Sequence, residues 1–229
     1  MMKNERARTL TVVAAFLLAA MWFFVPVGKP EGTSLLFSLR LALPAAVLAL
    51  GGIGLVPMPM TIGFCFCAIG DAMGVIGSFE GQMGGFAVAH VCFICFFLRE
   101  VRRSAVRPLL LAATTLFCLL PLTFAALKVL PAIQNQPIRI GCSVYALLLT
   151  GTVWSSIVRE SSASSEGIGI PFIAATGSVA FLVSDFILAW NKFVEGVPHA
   201  SLLIMITYYT ALLCLFLGTK RTRHDASRK

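Results

Sequence analysis

Apolar stretches of roughly 20 residues follow one another along almost the whole chain, and each matches the length needed to cross about 30 Å of hydrocarbon as a helix. Eight are readable, over residues 10–27, 33–52, 57–76, 83–99, 107–128, 138–158, 169–190 and 199–219. Only 12% of the residues are charged, against about 25% in a soluble domain, and the mean hydropathy is +0.90. No water is present in the bilayer core to satisfy exposed peptide groups, so a chain like this is confined to helices that bond their own backbone. The expected architecture is all-α: one polytopic membrane bundle over residues 1–229, with a basic tail at 220–229.

The second and third stretches are the hardest to divide. Residues 51–59 are apolar and uncharged, and only Gly51, Gly52, Gly54, Pro57 and Pro59 mark a turn there. Merging the two would give seven spans. The first stretch follows Lys3, Arg6 and Arg8 as a signal peptide would, but its apolar run is long and no small-x-small cleavage site follows. It reads as a retained helix. Eight spans put both termini on one side. Lys3, Arg6, Arg8, Arg99, Arg102, Arg103, Arg107, Arg159, Lys220, Arg221, Arg223, Arg228 and Lys229 fall on that side. Lys29, Lys128, Arg139 and Lys192 fall on the other. This bias places both termini in the cytoplasm of a cell or inner membrane. The net charge of +8 therefore reflects topology and not nucleic-acid binding.

All seven cysteines lie in spans and read as small apolar packing groups, Cys92-x-x-Cys95 included. The polar residues deep in the spans are few: Arg40, Asp71, His90, Tyr145, Asp185, Tyr208 and Tyr209. A carboxylate at the centre of a membrane helix costs roughly 2.5–3.5 kcal/mol on insertion scales, so Asp71 and Asp185 are the strongest pointers to function. At the helical rise, five spans bring polar groups to one half-layer, roughly 8–15 Å below the outer surface. That agreement in depth suggests a polar cavity open outward. The two aspartate segments also resemble each other. Gly70-Asp71 leads to Phe79 and Ser184-Asp185 to Phe193, eight residues on in both, and each is followed by a span with polar rings. A four-plus-four parallel repeat would produce this pattern.

The chain has no G-x-S-x-G, P-loop or H-E-x-x-H motif. One span histidine and two aspartates make a poor zinc set, so no metal and no cofactor is expected. Two carboxyls in an apolar pocket can divide the roles of acid and base, which suits hydrolysis through an oxocarbenium-like state.

Lys29-Pro30, Gly70-Asp71, Gly85-Phe-Ala-Val-Ala-His90, Val144-Tyr145, Gly177-Ser-Val-Ala-Phe-Leu-Val-Ser-Asp185, Ala189, Lys192-Phe193 and Thr207-Tyr-Tyr209 occur in an order that resembles the YhhN family of lysoplasmalogenase-like membrane proteins. Leu212 departs from it, standing where the family has glutamine. The resemblance implies an eight-span bundle that hydrolyses the vinyl ether bond of lysoplasmalogens, with ethanolamine or choline headgroups, to a fatty aldehyde and a glycerophospho-base. Asp71 and Asp185 are then the expected catalytic pair. His90, Tyr145, Tyr208 and Tyr209 are expected to orient groups or share protons, and Lys29, Arg40 and Lys192 to hold the phosphate. Expected partners are the lysophospholipid and the bilayer. Two rival readings are a hydrolase of another ether or ester lysolipid on the same fold, and a proton-coupled transporter using the same carboxyls.

Overall fold

The computed structural model describes residues 2–25, 38–101, 106–163 and 172–220. Eight helices are found among them: α1 (Met2–Phe24), α2 (Leu39–Gly51), α3 (Met58–Val75), α4 (Phe79–Glu100), α5 (Pro108–Ala132), α6 (Gln136–Ala163), α7 (Ile173–Phe193) and α8 (Ala200–Gly218). Seven are long and apolar enough to cross a membrane, and α2 is a shorter apolar helix. No strand occurs among the described residues. Large apolar side chains point outward along the bundle, with Leu109 84% and Leu50 71% exposed. Facing water, each would forgo roughly 1.5–3 kcal/mol of burial, whereas facing lipid it forgoes nothing of that kind. The chain is a multi-pass membrane protein.

The second and third apolar stretches form separate helices. The peptide N–H of Leu55 donates to Gly52 O at 2.8 Å, Gly54 takes a φ of 79°, and Pro57 is extended, so the chain turns before α3 begins. Glycine reaches that positive φ without the Cβ penalty of other residues. Pro59 and Pro108 stand in the first turns of α3 and α5, where no intrahelical donor is lost, and Pro44 stands where α2 passes from its 3₁₀ turn Leu39–Ala42 into α-helix. The predicted start of the second span at residues 33–37 lies outside the described residues.

The helices fall into two compact units. The first reaches to Cys92 and includes Thr219. Within it α2 packs between α1 and α3, and the Arg8 guanidinium donates to Ile53 O at 3.1 Å across the α2–α3 turn. The hairpin of α3 and α4 closes tightly at Gly85, where an added Cβ would stand 2.8 Å from Gly70 Cα. Small residues let membrane helices approach to backbone contact in this way.

The second unit runs from Phe93 to Gly218. Its longest interface joins α7 to α8 in antiparallel register, with Gly218 against Ala174, Gly177 against Ala211 and Leu215, and Ser184 against Ile204. Helix α6 packs on both α5 and α7, and the Trp154 indole N–H donates to Thr115 Oγ1 at 3.0 Å between α6 and α5. One end of this unit is fixed by two neighbouring charges of α6. Glu160 Oε1 accepts from the amides of Ala174 and Ala175 at 2.8 and 3.3 Å, at the N-terminus of α7. Arg159 donates to Gly218 O at 3.1 Å, at the C-terminus of α8, and lies 3.8 Å from Glu160. A carboxylate at a helix N-terminus and a guanidinium at a C-terminus each complement the helix dipole. Helix α5 is irregular: Pro121 interrupts its bonding, a π turn follows at Ala125–Val129 and a 3₁₀ turn at Leu130–Ala132.

The α7–α8 contact generates a prediction. A Cβ on Gly177 would stand 2.8 Å from Leu215 N and 2.9 Å from Ala211 O, both backbone atoms that cannot swing aside. Gly177→Leu should destabilise the protein by about 1–3 kcal/mol, read as a lowered unfolding midpoint in detergent, whereas Gly196→Leu, in open space, should leave the midpoint unchanged.

Candidate functional site

Asp185 stands on the face of α7 turned to α6, eight residues before the helix ends at Phe193. Its Oδ2 accepts a hydrogen bond from the Tyr145 hydroxyl of α6, and the carboxyl group's residue is only 8% exposed. A buried carboxyl without a donor would carry its full desolvation cost, so the phenol is what makes this position tenable. The neighbouring Ser184 is buried on the α8 side, where its hydroxyl donates to Ile204 O at 3.0 Å. That bond fixes the rotation of α7 about its axis, and with it the direction of Asp185.

Tyr208 and Tyr209 of α8 are both buried, with ring centroids 5.6 Å apart. Tyr208 meets the edge of Phe181 at 5.3 Å, and Phe181 lies one turn before Asp185 on α7. The second unit therefore joins Tyr145 to Asp185 on one flank of α7 and sets Tyr208 against Phe181 one turn earlier, with Tyr209 beside Tyr208. On the other side of α7, Phe186 and Trp190 pack against Phe124 of α5, with centroids 5.5–5.9 Å apart.

The first unit holds the other carboxyl. Asp71 is 2% exposed on α3, beside the glycine contact that joins α3 to α4, and His90 of α4 is fully buried. Arg40 lies in the 3₁₀ turn Leu39–Ala42 that opens α2, with its guanidinium 5.9 Å from the Phe23 ring of α1. Lys192 is exposed at the end of α7, its ammonium 5.9 Å from the Phe193 ring. Lys29 lies outside the described residues. Among the described residues no three His, Cys, Asp or Glu side chains group as a metal site.

Sequence reading passed over Ser184, Glu160, Arg159 and an aromatic cluster. Ser184 entered it only as part of a repeated pattern, though a small hydroxyl beside a membrane aspartate is a signal for a local bond to a neighbouring helix. Glu160 received no role, and Arg159 was counted only as a topology charge. The Phe124, Phe186 and Trp190 cluster had no signal in a chain with 18 phenylalanines.

The YhhN family model matches residues 34–219. The chain belongs to the YhhN family. Lysoplasmalogenase TMEM86B of Mus musculus is 31% identical over 215 residues, covering 91% of this chain and 86% of that protein. The Rattus norvegicus TMEM86B is 33% identical over 156 residues, covering 68% of this chain and 58% of the relative. Lysoplasmalogenase TMEM86A of Homo sapiens is 28% identical over 170 residues, covering 71% of this chain and 65% of the relative. The chain thus spans less than two thirds of the length of these last two. No solved structure gives a significant match. The YhhN match encloses Arg40, Asp71, His90, Tyr145, Asp185, Lys192, Tyr208 and Tyr209 and leaves Lys29 outside.

The Tyr145–Asp185 bond is open to direct measurement. In a double-mutant cycle with Tyr145→Phe and Asp185→Ala, unfolding in detergent should show a coupling of about 1–3 kcal/mol. Additive effects would mean that the two side chains do not support each other.

Proposed function

We propose that this YhhN protein is a membrane lysoplasmalogenase, hydrolysing the vinyl ether of a lysoplasmalogen to a fatty aldehyde and a glycerophospho-base. Family membership and the names of its relatives support the activity. The observation that carries the chemistry is the buried Asp185 carboxyl accepting from Tyr145 inside an apolar bundle.

Vinyl ether cleavage starts with transfer of a proton to the β-carbon, which leaves an oxocarbenium ion at the carbon bonded to the ether oxygen. Water adds to that carbon and loses a proton. The resulting hemiacetal collapses, the ether oxygen leaving with the glycerol and taking up a proton. The sequence needs one protonated acid and one carboxylate. Asp185, an acceptor toward Tyr145, is assigned the carboxylate that faces the cation and takes the proton of the attacking water. Asp71 is assigned the acid that protonates the carbon. Tyr145 orients Asp185, while His90, Tyr208 and Tyr209 orient the reacting groups or share protons. Lys29, Arg40 and Lys192 are the cations proposed for the phosphate, and Lys192 stands at the helix end nearest Asp185.

The same reading puts both termini in the cytoplasm of a cell or inner membrane. It takes the two aspartate-bearing halves as a four-plus-four repeat. Asp71 and Asp185 each stand on the third helix of four, directly after a small residue that meets the fourth helix.

Purified protein given lysoplasmenyl-ethanolamine in detergent should release fatty aldehyde. Asp71→Asn and Asp185→Asn should each lower kcat by about 100-fold or more. No aldehyde from the wild type would sink the activity, and Asn variants as fast as the wild type would sink the roles.

A further inference from the structure

Beside Asp185, the flank of α7 turned to α5 is filled by a block of three aromatic rings. Phe124 lies 5.5 Å from Phe186 and 5.9 Å from Trp190, and Phe186 and Trp190 are 5.8 Å apart, centroid to centroid. At about 100° per residue, Phe186 is turned roughly 100° and Trp190 roughly 140° away from Asp185 around the α7 axis. Asp185 thus looks to α6 through Tyr145, and the rings look to α5. Phe124 is 43% exposed, so the block reaches the lipid-facing side of the unit. The π turn Ala125–Val129 begins directly after Phe124 and contacts α7. Turns of this kind inside α-helices are rare and gather at functional sites.

We propose that Phe124, Phe186 and Trp190 restrict the Asp185 site to single-chain lipids by occupying the lane that a second chain would need. This rests on the reading of the chain as a lysoplasmalogenase and assigns its preference for lysolipids to particular side chains. The nearer end of α7 lies at Phe193, about 12 Å along the axis from Asp185, and a charged phosphate must seek that end. With the vinyl ether at Asp185 and the phosphate on its Phe193 side, the glycerol lies alongside the turn of α7 that follows Asp185, Phe186 through Trp190. In a lysolipid the central glycerol carbon carries a hydroxyl, which fits within that length. In a two-chain lipid the same carbon carries an acyl chain, which must fold back toward the middle of the bilayer beside the first chain. On the α5 side that return path is taken by the three rings. Ala189 stands on α7 one turn after Asp185, about 40° from it, so the α7 residue on the carboxyl side at that level is small where the α5 side carries rings. Selection of this kind works by a clash built against the wrong ligand and needs no added contact to the right one.

The test compares lysoplasmenyl-ethanolamine with intact plasmenyl-ethanolamine as substrates of the purified full chain, by aldehyde release. The wild type should cleave the lysolipid and discriminate strongly against the two-chain lipid. Trp190→Ala, Phe186→Ala and Phe124→Ala should each raise the ratio of two-chain to single-chain kcat/KM at least tenfold. Trp190→Phe keeps a ring in place and should keep the wild-type ratio. An unchanged ratio in alanine variants that still cleave the lysolipid overturns the proposal, and so does a wild type that cleaves both lipids equally. Alanine variants that lose both activities together also overturn it, because the rings would then support the fold and not the selection. A wild type that releases no aldehyde from either lipid overturns the lysoplasmalogenase reading instead, so the two failures are distinguishable.

Discussion

A carboxyl group buried in a bilayer has to be given its donor by the protein, because the surrounding lipid offers none. The bond from Tyr145 to Asp185 meets that requirement, and much of the second unit holds it in place. Asp185 must face α6 for the bond to form, so α7 must not rotate. Ser184 fixes the rotation against α8 through Ile204 O, and Gly177 brings the two helices into backbone contact two turns earlier. The far end of the pair is tied by Glu160 and Arg159, one at the start of α7 and the other at the end of α8. Each of these contacts uses a small or polar side chain at a point where lipid-like packing would carry no directional information. Apolar contact in a membrane does not distinguish one rotation of a helix from another, since lipid tails are as apolar as leucine. Polar bonds and glycine contacts do.

The first unit solves a similar problem with other groups. Asp71 follows Gly70, and Gly70 meets Gly85 of the next helix almost atom to atom. In both units a small residue precedes the aspartate and turns toward the following helix, so the carboxyl lies on a flank set by that contact. A cost of several kcal/mol for each membrane carboxylate explains why its surroundings are so closely specified.

Much of this was legible in the chain. The run of apolar stretches dictated a helical membrane bundle, and seven of the eight predicted spans correspond to long helices. The turn glycines and prolines at 51–59 separated α2 from α3, although the absence of charge there left a merged span open. Depth was read from span length alone, and the local form of the backbone was not legible: Arg40 stands in a 3₁₀ turn, Leu39–Ala42. Rotation was less legible still. Nothing in the linear order pairs Tyr145 with Asp185, 40 residues apart, because the pairing depends on which flanks α6 and α7 present to each other. The π turn of α5 was also hidden: Pro121 announces an interruption, but not how the chain would absorb it.

The central claim is that a carboxylic acid of this site places a proton on carbon. Turnover of lysoplasmenyl-ethanolamine in heavy water tests it most directly, with kcat and the isotopic content of the fatty aldehyde read together. Slow proton transfer to the β-carbon predicts a lower kcat than in ordinary water and one deuterium at the carbon next to the aldehyde group. An unchanged kcat with no deuterium at that carbon would contradict the account.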